Sequence, residues 1–368
     1  MKLVDFGFKQ TKVDPCLYIH YDNNDNIDGL CSVYVDDTNI CGTDGAVKKL
    51  IEYLKTKYNI KDLGETKQLL GVKVDYDRKG GTLRLSQAVM IQDLLDKYLT
   101  EETTTMSTPA LNNVRLDSDV PSREDRVELI KAWGDNFHSK YRTIIGSLLW
   151  IALSTRPDIC FAVTSLARFV ANPGVSHFKA MERVLRYLKS TINFGLLYRR
   201  DISNRVIAYS DSDWAGCPIT RRSTTGTLFM LCGAAICWRS RLQRLVTLSR
   251  AEAELVALCE TSKYACWIKE LIIALDKDLS ENEAMVIYED NAAALMIAQN
   301  GQRRPRNKHI ATRYFWLKDK ADDHTLEYKK CSTKDMLADI FTKPLGRLLF
   351  EAMRARIGVV DCSKDTSY

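Results

Sequence analysis

The sequence predicts a protein of mixed α+β and α/β class, built from several segments along its 368 residues. Three observations lead to this prediction. Strand-like and helix-like runs alternate from Met1 to about Met106, apolar helical patterns fill 141–197, and strands followed by helices occupy the block after Arg205. A chain of this length is expected to bury two or three hydrophobic cores.

The composition is that of an intracellular globular protein. Hydrophobic residues make up 45% and charged residues 27%, and the net charge of +6 permits a polyanionic partner. The 11 cysteines include no C-x-x-C pair, which argues against a disulfide framework or a zinc site. The start of the chain lacks the apolar core of a secretion signal, and the apolar run 144–153 is too short to cross a bilayer. We therefore expect no secretion and no membrane partner.

The first segment contains a β-hairpin with two adjacent acids, Asp36 and Asp37, at its tip. Two neighbouring like charges favour a bound cation, and carboxylate oxygens suit Mg²⁺. A helix is predicted over 47–57, a second hairpin around Gly80 and Gly81, and another helix over 87–99. The stretch 100–126, rich in Thr, Ser, Asn, Asp and Pro, is typical of a linker.

The middle block predicts three helices, at 144–153, 158–171 and 177–189. His177 begins the third helix, where we interpret it as a capping or surface residue. In the last block, strands are predicted at 205–211, 225–231, 234–239, 245–248 and 284–288. Ser249 and Glu252 form a capping box for a helix that continues to about 275, and a further helix covers 291–299.

Four acids of the last block stand at positions that suggest chemistry. Asp211 and Asp290 each end an apolar strand, Glu254 lies in the first turns of a helix, and Asp339 is predicted on a C-terminal helix. Acids at the ends of neighbouring strands converge where ligands bind, and such a set can hold two Mg²⁺ ions for phosphodiester cleavage. Taken singly, each acid is more typical of a surface residue than of a ligand. Asp290 also fits a helix cap, and Asp213 competes with Asp211 because both face the same side of the strand.

Ordered sequence motifs along nearly the whole chain resemble one known family. Tyr34-Val-Asp-Asp37 resembles the polymerase motif of reverse transcriptases. Its context, together with the later motifs, is similar to the copia class of long-terminal-repeat retrotransposons. These motifs are Tyr141-Arg-Thr-Ile-Ile-Gly, Ser154-Thr-Arg-Pro-Asp, Tyr209-Ser-Asp-Ser-Asp-Trp, Ser223-Thr-Thr-Gly, Glu289-Asp-Asn and Leu337-Ala-Asp-Ile-Phe-Thr-Lys-Pro-Leu.

The resemblance implies a domain order and an expected site. The domains would be a truncated reverse transcriptase palm and thumb at 1–105, a linker at 106–138, a helical connection at 139–200, a ribonuclease H-like domain with a mixed five-stranded sheet at 201–345, and a tail at 346–368. The ribonuclease H acids, which would be both catalytic and metal-binding, are Asp211, Glu254, Asp290 and Asp339, with two Mg²⁺ or Mn²⁺ ions. Asp36 and Asp37 would form an incomplete polymerase site, because the third polymerase carboxylate of the family lies upstream of the part present here. Cellular ribonucleases H use a histidine near the last acid, whereas this chain has Lys330-Cys-Ser in that region.

Basic residues complete the expected function. The candidate nucleic-acid contacts are Arg221, Arg222, Arg303, Arg304, Arg306, Lys308 and His309. The leading hypothesis is hydrolysis of RNA in RNA–DNA hybrids. One alternative is a non-catalytic remnant of an element that binds nucleic acid, and another is a DNA polymerase that works only when missing palm and fingers segments are supplied. The resemblance also implies element-encoded particle proteins as partners and a cytoplasmic or nuclear location.

Overall fold

A computed structural model describes residues 3–112, 116, 121–275, 283–300 and 311–363. The chain divides into two compact units, Met1–Lys67 with Lys263–Ala284, and Gln68–Ser262 with Met285–Tyr368. Within the described ranges, no helix combines the length and the apolar character needed to cross a bilayer.

The first unit contains a sheet with strand order β1-β2-β3-β4 and two helices that precede and follow it. Their bounds are α1 Leu3–Phe6, β1 Lys9–Gln10, β2 Leu17–Tyr21, β3 Ile27–Tyr34, β4 Asp37–Gly42 and α2 Asp44–Lys57. The predicted hairpin is confirmed: Tyr34 pairs with Asp37, and the turn between them is Val35-Asp36. Val35 takes a left-handed φ of 53°, which is rare for a β-branched residue. Leu50 and Leu54 of α2 pack with Leu3 and Cys31 in a small core.

The second unit contains a sheet with strand order β14-β8-β7-β6-β5 and a group of helices. The strands are β5 Gln68–Leu69, β6 Val72–Asp77, β7 Thr82–Ser86, β8 Phe194–Arg199 and β14 Val359–Asp361. The helices are α3 Ala88–Tyr98, α4 Arg123–Trp133, α5 Phe137–Ser154, α6 Cys160–Ala167, α7 Val175–Ser190 and α11 Arg347–Arg356. The predicted hairpin around Gly80 is confirmed as β6 and β7. The domain boundaries expected at 105, 138, 200 and 345 stay predictions.

Part of the expected linker is instead held against α7. Lys189 donates hydrogen bonds to the carbonyls of Thr100 and Glu101, and Ser190 donates to the carbonyl of Met106. The amide of Met106 in turn donates to the carbonyl of Arg186. A polar segment of this kind can be ordered when its backbone carbonyls find hydrogen-bond donors. Here the side chains of Lys189 and Ser190, on a helix distant in the sequence, supply them.

A second five-stranded sheet of this unit has the order β11-β10-β9-β12-β13. Its strands are β9 Ile207–Asp213, β10 Thr224–Leu231, β11 Ala234–Leu242, β12 Met285–Glu289 and β13 Leu326–Lys330, and the adjoining helices are α8 Arg250–Leu275, α9 Ala292–Asn300 and α10 Ala311–Asp322. The first three strands are antiparallel, whereas β9, β12 and β13 run parallel. The mixed α+β class and the mixed five-stranded sheet are therefore confirmed.

One predicted strand of this sheet was wrong, and one strand was missed. Residues 245–248 form a loop, in which Val246 and Leu248 are exposed and Gln243 anchors the chain to Thr225. The missed strand is β13. Only Leu326 and Tyr328 of its five residues are buried, so the alternation of buried and exposed side chains is too short to be recognised in the sequence.

His177 is also placed differently from part of its interpretation. Its Nδ1 accepts a hydrogen bond from the amide of Gly174, so the capping role is confirmed. The ring is buried and stacks on Phe169 with the ring centroids 4.0 Å apart, so a surface position was wrong. The polar residues next to His177 in the sequence did not indicate that Phe169, which precedes α7, packs on its ring.

Candidate active site

Two parallel strands bring Asp211 and Asp290 to the same edge of the sheet. Tyr209 of β9 is paired with Tyr288 of β12, and each acid lies two residues beyond its tyrosine. Because the strands run parallel, both acids emerge at their carboxyl ends. Asn291, and not Asp290, caps α9 by accepting hydrogen bonds from the amides of Ala293 and Ala294. The Asp290 carboxylate is therefore not used as the helix cap.

Glu254 joins these two acids from the first turns of α8. Ser249 and Glu252 begin the helix as predicted, with Glu252 accepting a hydrogen bond from the amide of Leu248. Glu254 is 2% exposed, and its Oε2 accepts a hydrogen bond of 3.0 Å from the hydroxyl of Ser212. Because Glu252 is the residue that caps α8, the Glu254 carboxylate can join Asp211 and Asp290 at the edge of the sheet.

One carboxylate oxygen from each of Asp211, Glu254 and Asp290 lies within 4.8 Å of the others. In the described part of the chain, this is the only such group of three or more metal-binding side chains. The donor set consists entirely of carboxylate oxygens, which Mg²⁺ and Mn²⁺ favour. The arrangement therefore fits a hard divalent cation.

Asp339 lies beside Asp211 but outside this group of three. It is carried by a short 3₁₀ helix, Leu337–Phe341, in the region where a C-terminal helix was predicted. The neighbouring hydroxyl of Thr342 donates a hydrogen bond of 2.6 Å to Asp211 Oδ2. The Nζ of Lys343 donates one of 2.6 Å to Asp339 Oδ1. The segment thus adds a hydroxyl and a cation to the acids.

Burial and mutual repulsion make these acids hard to ionise. Burial, followed by the charge of Asp339, raises the pKa of Asp211 to about 7. Burial, followed by the charge of Asp211, raises the pKa of Glu254 to about 9. Burial alone would lower the pKa of Lys343, but the carboxylates of Asp211 and Asp339 outweigh it and raise that pKa. All three pKa shifts indicate that a positive charge placed among these carboxylates is stabilised.

Asp213, the competitor of Asp211, is used elsewhere. Its Oδ1 accepts a hydrogen bond from the amide of Thr224, where β10 begins. Burial is the main cause that raises its pKa to about 6. This geometry favours Asp211 as the metal ligand, and the catalytic roles of all the acids stay predictions.

Sequence reasoning missed two charged residues at this site. Lys343 belongs to a quoted motif, and its spacing of four residues from Asp339 was the available signal. Glu289 is fully buried; its Oε1 accepts a hydrogen bond from the amide of Asn291, while its Oε2 has no partner among the described residues. Burial, followed by the charge of Glu254, raises the pKa of Glu289 well above the usual range.

The other predicted residues are not members of this group of three. Asp36 and Asp37 are exposed on the hairpin of the first unit. Arg221 and Arg222 lie between β9 and β10, with Arg221 exposed. The remaining basic candidates, Arg303, Arg304, Arg306, Lys308 and His309, lie outside the described residues.

Comparison with known proteins places this geometry in a family. Residues 1–112 match the family model described as reverse transcriptase (RNA-dependent DNA polymerase). The chain is 34% identical over 354 residues to the Retrovirus-related Pol polyprotein from transposon TNT 1-94 of Nicotiana tabacum, covering 96% of this chain and 26% of that protein. It is 30% identical over 232 residues to the Putative transposon Ty5-1 protein YCL074W of Saccharomyces cerevisiae, covering 62% of this chain and 71% of that protein.

A solved structure of the ribonuclease H1 LC11-RNase H1, isolated from compost, aligns at 17% identity and a TM-score of 0.29, covering 38% of this chain and 94% of that chain. A TM-score this low does not establish a shared fold, and the family rests on the sequence relatives. The chain spans about a quarter of the length of the transposon Pol polyproteins that it matches. With this ordered similarity, the chain belongs to the Pol polyprotein family of copia-type retrotransposons.

Proposed function

We propose that this chain hydrolyses the RNA strand of RNA–DNA hybrids at the group formed by Asp211, Glu254 and Asp290. The observation that carries the proposal is the mutual distance of 4.8 Å or less between one carboxylate oxygen of each. These acids come from β9, α8 and the end of β12, so the sheet and its capped helix fix their positions. Asp339 would complete the ligand set from the adjacent 3₁₀ helix.

The residues present fit two Mg²⁺ or Mn²⁺ ions, because buried carboxylates with raised pKa values gain from a cation. When bound, such a pair activates a water and stabilises the leaving oxygen of a phosphodiester. Ser212 and Thr342 orient the carboxylates of Glu254 and Asp211 through their hydroxyls. Lys343 balances the charge of Asp339.

The test is cleavage of a labelled RNA–DNA hybrid by the purified chain in Mg²⁺. We expect Asp290→Asn to lower the cleavage rate by a factor of about 100 or more, since it removes a ligand from the site of transition-state charge. The matched control is Asp93→Asn, the same change at an exposed position of α3, which should cleave normally. Normal cleavage by the Asp290 variant would overturn the assignment.

A non-catalytic remnant is the alternative that this assay separates. It predicts hybrid binding that weakens steeply with salt, with no cleavage by the unaltered chain. Retention of the three-acid group favours the catalytic proposal over the remnant.

We also infer that the chain alone does not extend primers, although residues 1–112 match the reverse transcriptase model. Polymerase chemistry needs carboxylates that hold two metal ions. Asp36 and Asp37 are exposed, and among the described residues they belong to no group of three metal-binding side chains. Primer extension by this chain, abolished in Asp36→Asn, would contradict the inference.

The proposed substrate also suggests where the chain acts. We propose a cytoplasmic or nuclear location, with element-encoded particle proteins as further partners. Fractionation of cells that express a tagged chain, followed by pull-down with the element's particle proteins, would test both points.

A further inference from the structure

Two loops beside the carboxylates form a surface that is both apolar and basic. One loop, 214–223, joins β9 to β10, and the other, 243–249, joins β11 to α8. We name this the Trp214 surface. Its exposed apolar residues are Trp214, Ile219, Val246 and Leu248, and its arginines are Arg221, Arg222, Arg244 and Arg250.

Hydrogen bonds fix the two loops to each other. The indole Nε1 of Trp214 donates to the carbonyl of Thr247 at 3.3 Å. The hydroxyl of Ser223 accepts from the amide of Ala215 at 3.0 Å and lies 3.4 Å from the hydroxyl of Thr247. Ser223 and Thr247 are both buried. The polar edge of the Trp214 indole is therefore fixed by its hydrogen bond to Thr247, a residue that is itself buried against Ser223.

The rest of the indole is available to a partner. Trp214 is 51% exposed, and Val246 and Leu248, the neighbours of Thr247 in the chain, are 50% and 73% exposed. Exposed apolar groups that lie together within a polar rim mark interaction sites. Because the ring is already fixed, little side-chain entropy is lost when a partner packs on it.

The charge of the two loops identifies the kind of partner. Residues 214–223 and 243–250 contain four arginines and neither Asp nor Glu. A surface with a single sign of charge is complementary to a polyanion, and guanidinium groups match phosphate geometry. An indole within such a surface is typical of proteins that hold nucleic-acid strands.

The position along β9 brings this surface to the carboxylates. Trp214 lies in the bend that directly follows β9, three residues after Asp211, which limits the separation of their Cα atoms to about 10–11 Å. A strand that passed over Trp214 would reach the three-acid group within about three nucleotides, at 3.4 Å per nucleotide in B-form geometry, and within fewer when extended.

We infer that the Trp214 surface holds the sugar–phosphate backbone of the hybrid next to the carboxylates, with the indole packed on a sugar and the arginines on phosphates. This inference rests on the proposed function and adds the residues that position its substrate. In this proposal Trp214 makes an apolar contact with a sugar of the hybrid, and Arg244 makes an electrostatic contact with a phosphate.

The test is hybrid binding by the full chain without divalent ions, measured by fluorescence anisotropy over a range of NaCl concentrations. We expect Trp214→Ala to raise Kd about tenfold at every salt concentration, because it removes apolar contact area and no charge. Trp214→Phe should recover most of the affinity. Arg244→Gln should instead reduce the slope of log K against log salt by about 0.7–0.9.

Matched controls are Trp150→Ala and Arg142→Gln, which alter an exposed tryptophan and an exposed arginine of α5. Neither should change Kd or the slope. Equal affinities for Trp214→Ala and Trp150→Ala would overturn the inference, as would tighter binding of polyglutamate than of the hybrid.

Failure of the inference can be told apart from failure of the proposed function. Cleavage by the unaltered chain with no effect of Trp214→Ala on binding overturns the Trp214 surface alone. Binding that depends on Trp214, without cleavage in Mg²⁺, overturns the hydrolysis and supports the surface. Absence of both binding and cleavage by the unaltered chain overturns both.

Discussion

The ammonium group of Lys343 lies 2.6 Å from Oδ1 of Asp339, four residues earlier in the chain. Asp339 is buried, whereas the lysine side chain is 41% exposed and so is open to solvent on one side. Asp339 in turn adjoins Asp211. The chain thus supplies one cation of its own to a group of acids that otherwise repel one another.

Replacing this cation should destabilise the metal-free protein. We expect Lys343→Met to lower the free energy of unfolding by about 1–3 kcal/mol without divalent ions, a value between those of exposed and buried ion pairs. Saturating Mg²⁺ should reduce the difference, because a bound ion supplies the missing positive charge. Urea unfolding with and without Mg²⁺ measures both values.

A lysine outside the site provides the control. Lys329 pairs with Glu327 at 2.9 Å, and both side chains are about half exposed. Lys329→Met should cost less stability than Lys343→Met and show no dependence on Mg²⁺, because solvent screens an exposed pair. Equal, Mg²⁺-independent losses in the two variants would refute a special role for Lys343.

The raised pKa values predict that the metal-free protein loses stability as the pH rises. The folded-state pKa of Asp211 is about 7 and that of Glu254 about 9, both above their ordinary values near 4. The folded state therefore binds more protons than the unfolded state, and this contribution, complete below pH 4, is lost as the pH rises through 7 toward 9. We expect Tm in EDTA to fall between pH 6 and 9.

Variants that cannot ionise should flatten this dependence. Asp211→Asn combined with Glu254→Gln should remove much of the fall in Tm, whereas Asp93→Asn should retain it. Added Mg²⁺ should raise Tm more at pH 8 than at pH 6, because ionised carboxylates bind the ion more tightly. A Tm that rises with pH in EDTA would contradict the shifts.

The sequence was sufficient for the parts of the site that depend on local order. The apolar run before Asp211 and the capping box before Glu254 are local signals, and both led to residues that meet in space. The parallel pairing of β9 with β12 joins residues about 80 positions apart, so no local pattern could supply the register that aligns Tyr209 with Tyr288. The family resemblance carried that step.

Other features depend on contacts that no local pattern encodes. Residues 245–248 are apolar enough for a strand, but Gln243 and Trp214 hold them as a loop. Asp339 lies on a 3₁₀ helix that packs on β10 at Gly226, and tertiary packing of this kind overrides local helix propensity. Burial of Glu289 was equally unreadable, since acids are rarely enclosed without a partner.

Gly226, the glycine of the motif Ser223-Thr-Thr-Gly, allows the Asp339 segment to pack closely on β10. It is paired with Asp211 across β9 and β10. A Cβ at this position would lie 2.7 Å from both the carbonyl oxygen of Ala338 and Cγ2 of Thr342. A side chain here would push the Asp339 segment off the sheet.

We therefore expect Gly226→Ala to lower hybrid cleavage by about tenfold or more, because small displacements of catalytic groups are costly. Its divalent-ion affinity, measured by calorimetry, should fall as well. Gly146→Ala is the control: its Cβ would meet no atom within 4 Å, and alanine favours the helix α5 by about 0.5–1 kcal/mol. Unchanged cleavage and affinity in Gly226→Ala would show that the segment can shift freely.

The second unit is also held together by a buried ion pair away from the acids. The Arg156 guanidinium, fully buried, donates to both carboxylate oxygens of Asp158 at 2.9 and 2.8 Å and to the carbonyl and hydroxyl of Thr191. The hydroxyl of Tyr187 also donates to Asp158, at 2.5 Å. Although burial opposes ionisation of Asp158, the adjacent guanidinium keeps its pKa below the usual value.

Removing one member of this pair leaves a buried charge without compensation. Arg156→Met should lower the free energy of unfolding by about 3–5 kcal/mol, and Tyr187→Phe, which removes one hydrogen bond to a charge, by about 1.5–3 kcal/mol. The double variant Arg156→Met with Asp158→Leu should be more stable than Arg156→Met alone, because no unpaired charge remains. Arg142→Met, at an exposed position, should stay within about 0.5 kcal/mol of the unaltered chain. Urea unfolding measures the free energy of unfolding of these variants. With Asp158→Leu as a further single variant, the double-mutant cycle gives the coupling energy between Arg156 and Asp158. If the two single losses add up to the loss of the double variant, the two charges do not stabilise each other.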